Sequence, residues 1–188
     1  YKKEKIIEHY ESSSKRVSKT EDIFEDNQNI KISVLDTGLE TMTGGRLKIG
    51  AEYLNEESFY LTYGDGIANI QLDKLTQFFI EQKTIATVTA VRPPARFGSL
   101  EIDNNLVTNF GEKDNTSSGW INGGFFVFKR EILNYLTGPE DVLERKPLEF
   151  LATEKELSAF KHEGFWQPCD TIRELEILEK AMESGLVN

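Results

Sequence analysis

Apolar positions change spacing from one segment to the next, and the changes outline an α/β protein. Ile6, Ile7 and Tyr10 recur at helical spacing within residues 2–11. The pattern is lost over residues 12–29, where Ser12-Ser13-Ser14 and mixed charges predict an exposed polar arm or loop. Ile32, Val34 and Leu35 mark a strand that ends at the turn signature Asp36-Thr37-Gly38. Leu47, Ala51 and Leu54 then fall at i, i+4 and i+7, one face of a helix opening near Gly44-Gly45 with Thr43 as the expected N-cap. Ser58 to Tyr63 reads as a strand running into Gly64-Asp65-Gly66. Leu72, Leu75, Phe78 and Phe79 predict the next helix, and Thr84 to Val91, rich in β-branched residues, the next strand. This alternation favours a sheet with parallel neighbours.

The second half is patterned differently. After Pro93-Pro94, segments 97–102 and 106–110 flank Asp103-Asn104-Asn105 and predict an antiparallel hairpin. Ile121 to Phe128 is a further strand, and short helices are expected over 131–136 and 147–153, the latter with Pro147 in its first turn. Ile172, Leu175, Leu178 and Met182 mark a closing amphipathic helix stopped by Gly185. The whole of 1–188 is expected to form one compact α/β domain.

Composition narrows the function. The 188 residues are 29% charged and 38% hydrophobic, a globular balance, with a net charge of −10. That charge repels phosphate backbones and anionic lipid, so neither nucleic acid nor membrane is an expected partner. A small phosphorylated ligand stays possible if local cations or a divalent metal offset the field. No apolar run reaches membrane-spanning length, and the single Cys169 rules out an internal disulfide; both suit a cytoplasmic protein.

Several residues could carry chemistry, each with a structural alternative. Asp65 follows a strand, where open α/β sheets bind ligands, between two glycines that permit close approach; it also reads as a plain Asp-Gly turn. Asp170 precedes the last helix and could be its N-cap, with Thr171 and Glu174 a rival capping box, or it could join Asp65 in a two-carboxylate Mg²⁺ site. Thr43-Gly44-Gly45-Arg46 opens a helix whose free N–H groups and guanidinium suit an anion or a base edge, or it is an ordinary glycine-rich turn. Glu112-Lys113 pairs a carboxylate with an ammonium after a strand, suited to a sugar hydroxyl and its phosphate or merely solvated. Asn122-Gly123-Gly124 interrupts a strand with glycines, which marks close approach by a ligand or by backbone. His9 and His162 lack metal-ligand spacing, and neither a Walker loop nor Gly-x-Ser-x-Gly occurs.

The order of these motifs carries more than any one of them. Leu35-Asp36-Thr37-Gly38, Met42 to Lys48, Thr62-Tyr63-Gly64-Asp65-Gly66, the Pro-Pro-x-Arg-Phe-Gly-Ser-Leu run at 93–100, Phe110-x-Glu112-Lys113, Ile121 to Val127 and Gly164 to Thr171 together resemble the glucose-1-phosphate cytidylyltransferase branch of the sugar-phosphate nucleotidyltransferases. The resemblance implies a Rossmann-like fold, a mixed central sheet with helices on both faces. It implies Mg²⁺-dependent transfer of a cytidylyl group from CTP to α-D-glucose 1-phosphate, giving CDP-glucose for surface polysaccharide, by a homo-oligomer. Carried over by position, Asp65 and Asp170 are the metal ligands and, with Lys113, the catalytic set. Thr41, Thr43, Arg46 and Gly64 contact the nucleotide, while Glu112, Lys113, Asn122 and Gly123 hold the sugar phosphate. Arg96 and Trp166 form the site wall.

Two departures accompany the resemblance. Asp114 stands where the family usually has Pro after Glu-Lys. The family's opening Gly-Gly-x-Gly-Thr-Arg loop does not occur, so about 60 residues, two βαβ-sized pieces, are expected to be absent before Tyr1. Without that loop the chain alone is expected to lack activity. A sister enzyme using dTTP or UTP, or a non-catalytic sugar-nucleotide-binding remnant, are the alternatives.

Overall fold

A computed structural model describes residues 2–18, 21–93, 99–103, 106–111 and 119–187. The chain divides into two compact units, Tyr1–Asn55 with Leu133–Pro147, and Glu56–Ile132 with Leu148–Asn188.

The first unit opens with helix α1 (Lys3–Ser13), followed by three short strands, β1 (Lys15–Arg16), β2 (Ile23–Glu25) and β3 (Lys31–Ser33), antiparallel in that order. Residues 12–29, expected as an exposed arm, therefore contain two strands. One apolar residue accounts for them: Phe24 is fully buried, stacked on Tyr10 at 5.8 Å with the Arg16 guanidinium 4.9 Å from its ring centre. The Asp26 carboxylate accepts N–H bonds from Gln28 and Ile30, each 2.8 Å, and so closes the β2–β3 turn.

Helix α2 (Thr43–Ala51) begins after Met42, which is its N-cap. Thr43 does not cap it, because its hydroxyl already donates to Glu144 Oε2 (2.7 Å) and accepts from the Leu143 N–H (2.9 Å). The turn at 137–141 is held by Asp141, whose carboxylate accepts from the N–H groups of Gly138 (2.8 Å) and Thr137 and from the Thr137 hydroxyl.

The second unit contains β4 (Ser58–Thr62), β5 (Gly66–Ala68), α3 (Leu72–Gln82), β6 (Ala86–Val91), β7 (Ser99–Asp103), β8 (Leu106–Gly111) and β9 (Ile121–Lys129). The short helix expected near 131–136 is a 3₁₀ helix at Arg130–Tyr135, followed by α4 (Lys146–Thr153), β10 (Leu157–His162), β11 (Trp166–Pro168) and α5 (Ile172–Glu183). The main sheet has the order β10-β6-β9-β4. β10 and β6 are parallel, while β9 is antiparallel to both β6 and β4. Thus β10 and β6 are the parallel neighbours of a mixed sheet, while β4 and β6 run the same way with β9 inserted between them. β7 and β8 form the expected hairpin, with Ser99 opposite Gly111.

β9 is apolar on both sides because both faces are covered. Phe126 and Phe128 stack at 5.3 Å, with Phe59 6.0 Å from Phe128. Val127, on the other face, packs with Leu75 and Phe79 of α3. The strand directions leave β4, β6 and β10 finishing at the same sheet end where β9 begins, the end at which open α/β sheets bind ligands.

Phe128→Ala should lower the unfolding free energy by about 3–5 kcal/mol, read by urea denaturation, because it removes a fully buried ring from this stack. In the other unit, N–H donation from Gly138, then from Thr137, holds the Asp141 carboxyl below its usual range against an opposing effect of burial. A depressed carboxyl stabilises the fold above its unfolded value, and that gain is lost as pH falls through the folded one. Asp141→Asn should therefore lower the melting temperature at neutral pH, and the difference from wild type should shrink toward strongly acidic pH.

Candidate active site

β5 is the continuation of the Tyr63-Gly64-Asp65 corner after β4, and it pairs antiparallel with β11: Gly66 opposite Pro168, Ile67 opposite Gln167, Ala68 opposite Trp166. One further bond extends the ladder, from the Cys169 N–H to the Asp65 carbonyl at 2.7 Å. The register sets Asp65, just before β5, beside the chain leaving β11 toward Asp170. Both aspartates line one cavity of about 70 Å³, together with Tyr63, Asn122, Gly123 and Trp166. That volume is small beside the ~300–1,000 Å³ of ligand pockets, so it accounts for a corner of a site and not a whole sugar-nucleotide.

The floor of the cavity is a distortion of β9. Val88 of β6 faces Phe126, but Ala90 faces Asn122, so three residues of β9 lie opposite Thr89 alone. A Cβ on Gly123 would meet Val91 Cγ1 at 2.8 Å and the Thr89 carbonyl at 2.9 Å. Gly124 has φ +78°, and its Cβ would meet Tyr63 Cδ2 at 2.8 Å. The two glycines are therefore required by close approach within the protein, which is the structural one of the two readings open for them. Asn122 is fixed at both ends of its amide: Oδ1 accepts from the Gly124 N–H (2.8 Å) and Nδ2 donates to the Tyr63 hydroxyl (3.2 Å). Trp166 Nε1 donates to the Gly123 carbonyl (2.8 Å), tying β11 to the bend. Tyr63, whose hydroxyl and ring hold Asn122 and Gly124, was not singled out from sequence; its position beside Gly64-Asp65 was the available signal.

Asp170 is not the cap of α5. Thr171 is, its Oγ1 accepting from the Glu174 N–H at 3.2 Å. Asp170 is exposed, and its carboxylate has no hydrogen bond or ion pair among the described residues; the same holds for Asp65. Two such carboxylates on one cavity fit Mg²⁺, a hard ion that takes one or two protein carboxylates and keeps water and phosphate oxygens in its remaining positions. No cluster of three or more His, Cys, Asp or Glu suited to a metal occurs among the described residues. Gly64 is exposed, and a Cβ there would meet nothing within 4 Å, so the fold of the chain does not demand its glycine.

The remaining nucleotide-site candidates lie in the first unit. Arg46 donates to the Thr37 hydroxyl and to the Leu39 carbonyl (3.2 Å), and Thr41 is half-buried against the same loop. The start of α2 does not present a row of free amides: Met42 N–H donates to the Pro139 carbonyl, and Gly44 N–H to that of Asp141, both at 2.8 Å. Added Cβ atoms on Gly44 and Gly45 would strike Asp141 and Pro139. These glycines serve packing, which accords with the glycine-rich-turn reading of this helix start. Glu112, Lys113 and Arg96 lie outside the described residues.

The nucleotidyl transferase family model matches residues 2–168. The chain belongs to the nucleotidyl transferase family. Among its relatives, the glucose-1-phosphate cytidylyltransferase of Salmonella typhi is 43% identical over 155 residues, 82% of this chain and 60% of that protein. The enzyme of the same name from Salmonella typhimurium matches to the same extent. The chain thus spans about 60% of the length of the curated relatives it matches. HddC from Yersinia pseudotuberculosis, solved in complex with GMP-PN, superposes with a TM-score of 0.66 over 96% of this chain and 75% of its own, at 22% identity. That likeness establishes the shared nucleotidyl transferase fold. No helix among the described residues is long and apolar enough to cross a membrane.

A pair of substitutions separates the glycines needed for the fold from one that is not. Gly124→Ala should destabilise by about 1–3 kcal/mol in chemical denaturation, since it combines a positive φ with a ring contact. Gly64→Ala should leave the denaturation midpoint unchanged, so that any effect it has is read in ligand binding.

Proposed function

We propose that this chain is the greater part of a glucose-1-phosphate cytidylyltransferase, which transfers the cytidylyl group of CTP to α-D-glucose 1-phosphate and releases pyrophosphate. The observation that carries the proposal is the meeting of Asp65 and Asp170 on one cavity, in a chain 43% identical to the two Salmonella enzymes. In this reading a phosphate oxygen of the sugar attacks the α-phosphorus of CTP, forming a new P–O bond while the bond to the bridging oxygen of pyrophosphate breaks. The reaction needs no protein nucleophile, and the protein's task is to align two anions that repel one another.

Asp65 and Asp170 would hold Mg²⁺, whose contribution is to offset phosphate charge and fix the oxygens in place. Asn122 and the Gly123 backbone sit beside them on a rigid bend, suited to orienting the sugar phosphate. Lys113 would neutralise that phosphate and Glu112 would bind a sugar hydroxyl, assignments that rest on the sequence pattern. Thr41, Thr43 and Arg46 are assigned to the nucleotide side on the same ground. For Thr43 and Arg46 the bonds to Glu144, Leu143, Thr37 and Leu39 make an indirect role, shaping the loop, the better reading. Use of a CTP pool and the absence of a disulfide framework suit a cytoplasmic enzyme, and homo-oligomerisation is proposed on family resemblance.

The test is pyrophosphate release by the full gene product with glucose 1-phosphate and each of CTP, dTTP and UTP, with and without Mg²⁺. Turnover should require Mg²⁺ and favour CTP, and Asp65→Asn and Asp170→Asn should each lower kcat by at least about 100-fold. Lys113→Ala should raise KM for glucose 1-phosphate far more than for CTP. Preference for dTTP or UTP would reassign the base, and turnover that survives loss of both aspartates would end the cation-site assignment.

A further inference from the structure

We infer that Glu174 is a positioning residue for the cation site: it holds the backbone N–H of Asp170 and the hydroxyl of the capping Thr171, and so fixes Asp170 at the cavity shared with Asp65. The inference rests on the assignment of Asp65 and Asp170 as cation ligands. A helix start leaves four N–H groups without intrahelical partners, and an Asp at its edge ordinarily supplies one of the missing acceptors. Asp170 stands at that edge, yet its side chain is not used there. Glu174 Oε2 accepts from the Asp170 N–H and from the Thr171 hydroxyl, both at 3.0 Å, while Thr171 Oγ1 accepts from the Glu174 N–H.

In the usual reciprocal box the glutamate reaches back to the N–H of the capping residue itself. Here it reaches one residue further, to the backbone of the candidate ligand. Glu174 is also 9% exposed, the one charged residue that is buried among the described residues. Burying a carboxylate is unfavourable unless it is well hydrogen-bonded, and an exposed Ser or Asn would cap the helix without that penalty. The arrangement divides the work between two carboxylates: one is buried, bonded and fixed at the positive helix end, the other exposed and unengaged. Without Glu174, the Asp170 N–H and the Thr171 hydroxyl lose their acceptor, and the backbone that carries the Asp170 carboxylate is no longer held in place.

The experiment uses Mn²⁺ as the probe, with its binding to this chain followed by electron paramagnetic resonance and unfolding followed by thermal melts. Wild type should take up Mn²⁺ at a site lost in Asp170→Asn. Glu174→Ala should weaken Mn²⁺ binding by about 10–100-fold, the range for groups that orient a metal ligand. Glu174→Gln keeps an oxygen for both donors and should restore most of the affinity. Thr171→Ala removes the cap hydroxyl but keeps the Glu174 bond to the Asp170 N–H, so it should lower the melting temperature with Mn²⁺ affinity unchanged. Should Glu174→Ala fail to fold, Glu174→Asp, one methylene too short for the reach, replaces it with the same expectation.

A Glu174→Ala or Glu174→Asp protein that melts lower yet binds Mn²⁺ as tightly as wild type would make Glu174 an ordinary helix cap and overturn the inference alone. No Mn²⁺ uptake by wild type, or uptake unchanged in Asp170→Asn, would remove the ligand assignment itself and the inference with it.

Discussion

The candidate site depends on a two-stranded ribbon of three residue pairs. β5 and β11 are far apart in sequence, and each is too short to persist alone, since isolated pairs of strands are marginal in water. Their pairing is supported at both ends: Trp166 is bonded to the Gly123 carbonyl, and Cys169 donates to the Asp65 carbonyl. Because antiparallel register is fixed by such end contacts, the residues just outside the ribbon are fixed too. Asp65 stands directly before β5 and faces Cys169, the residue next to Asp170. A slip of one residue would turn Trp166 to the other face, break its bond to β9 and separate the two carboxylates.

The bend in β9 is the second constraint, and it serves the first. Three residues opposite Thr89 alone require backbone that a side chain would obstruct, hence Gly123 against Val91 and Gly124 under the Tyr63 ring. The bend exposes a carbonyl to Trp166 and turns Asn122 back on its own strand. Glycines read as close approach by a ligand or by backbone are thus explained by approach within the protein. Their link to function is indirect: they build the wall against which the ribbon is anchored.

How much of this was legible varies with the physical cause. The long helices were readable from their apolar period, and α3 buries the expected Leu75 and Phe79; in α5 only Leu178 of the expected stripe is buried, with Glu174 and Ala181, while Ile172, Leu175 and Met182 are exposed. β4, β6 and β9 were readable from apolar, β-branched runs. β10 and β11 were not, since half-exposed edge strands such as Leu157–His162 alternate too weakly to stand out. The insertion of β9 between β4 and β6 is a non-local choice that no local pattern records. At the start of α5 the sequence offered two capping schemes, Asp170 or Thr171 with Glu174, of equal chemical merit; only the fold selects the second. At Thr43 the cap was misplaced by one residue because its hydroxyl is claimed by Glu144 and Leu143, partners about a hundred positions away.

Charge decides what kind of ligand such a corner suits. A chain of net charge −10 is a poor host for phosphates at long range, but salt screens that field beyond about 8–10 Å, so the groups within one screening length matter most. At that range the cavity presents two carboxylates and, among the described residues, no ion-pair partner for either. Both groups are exposed to water. Under the proposed function a divalent cation would reverse the sign of the corner, so that an anionic ligand would be drawn in. The same two residues would then matter little for stability and a great deal for binding. That asymmetry is what sets a functional carboxylate pair apart from a structural one, whose members would be buried and bonded as Glu174 is.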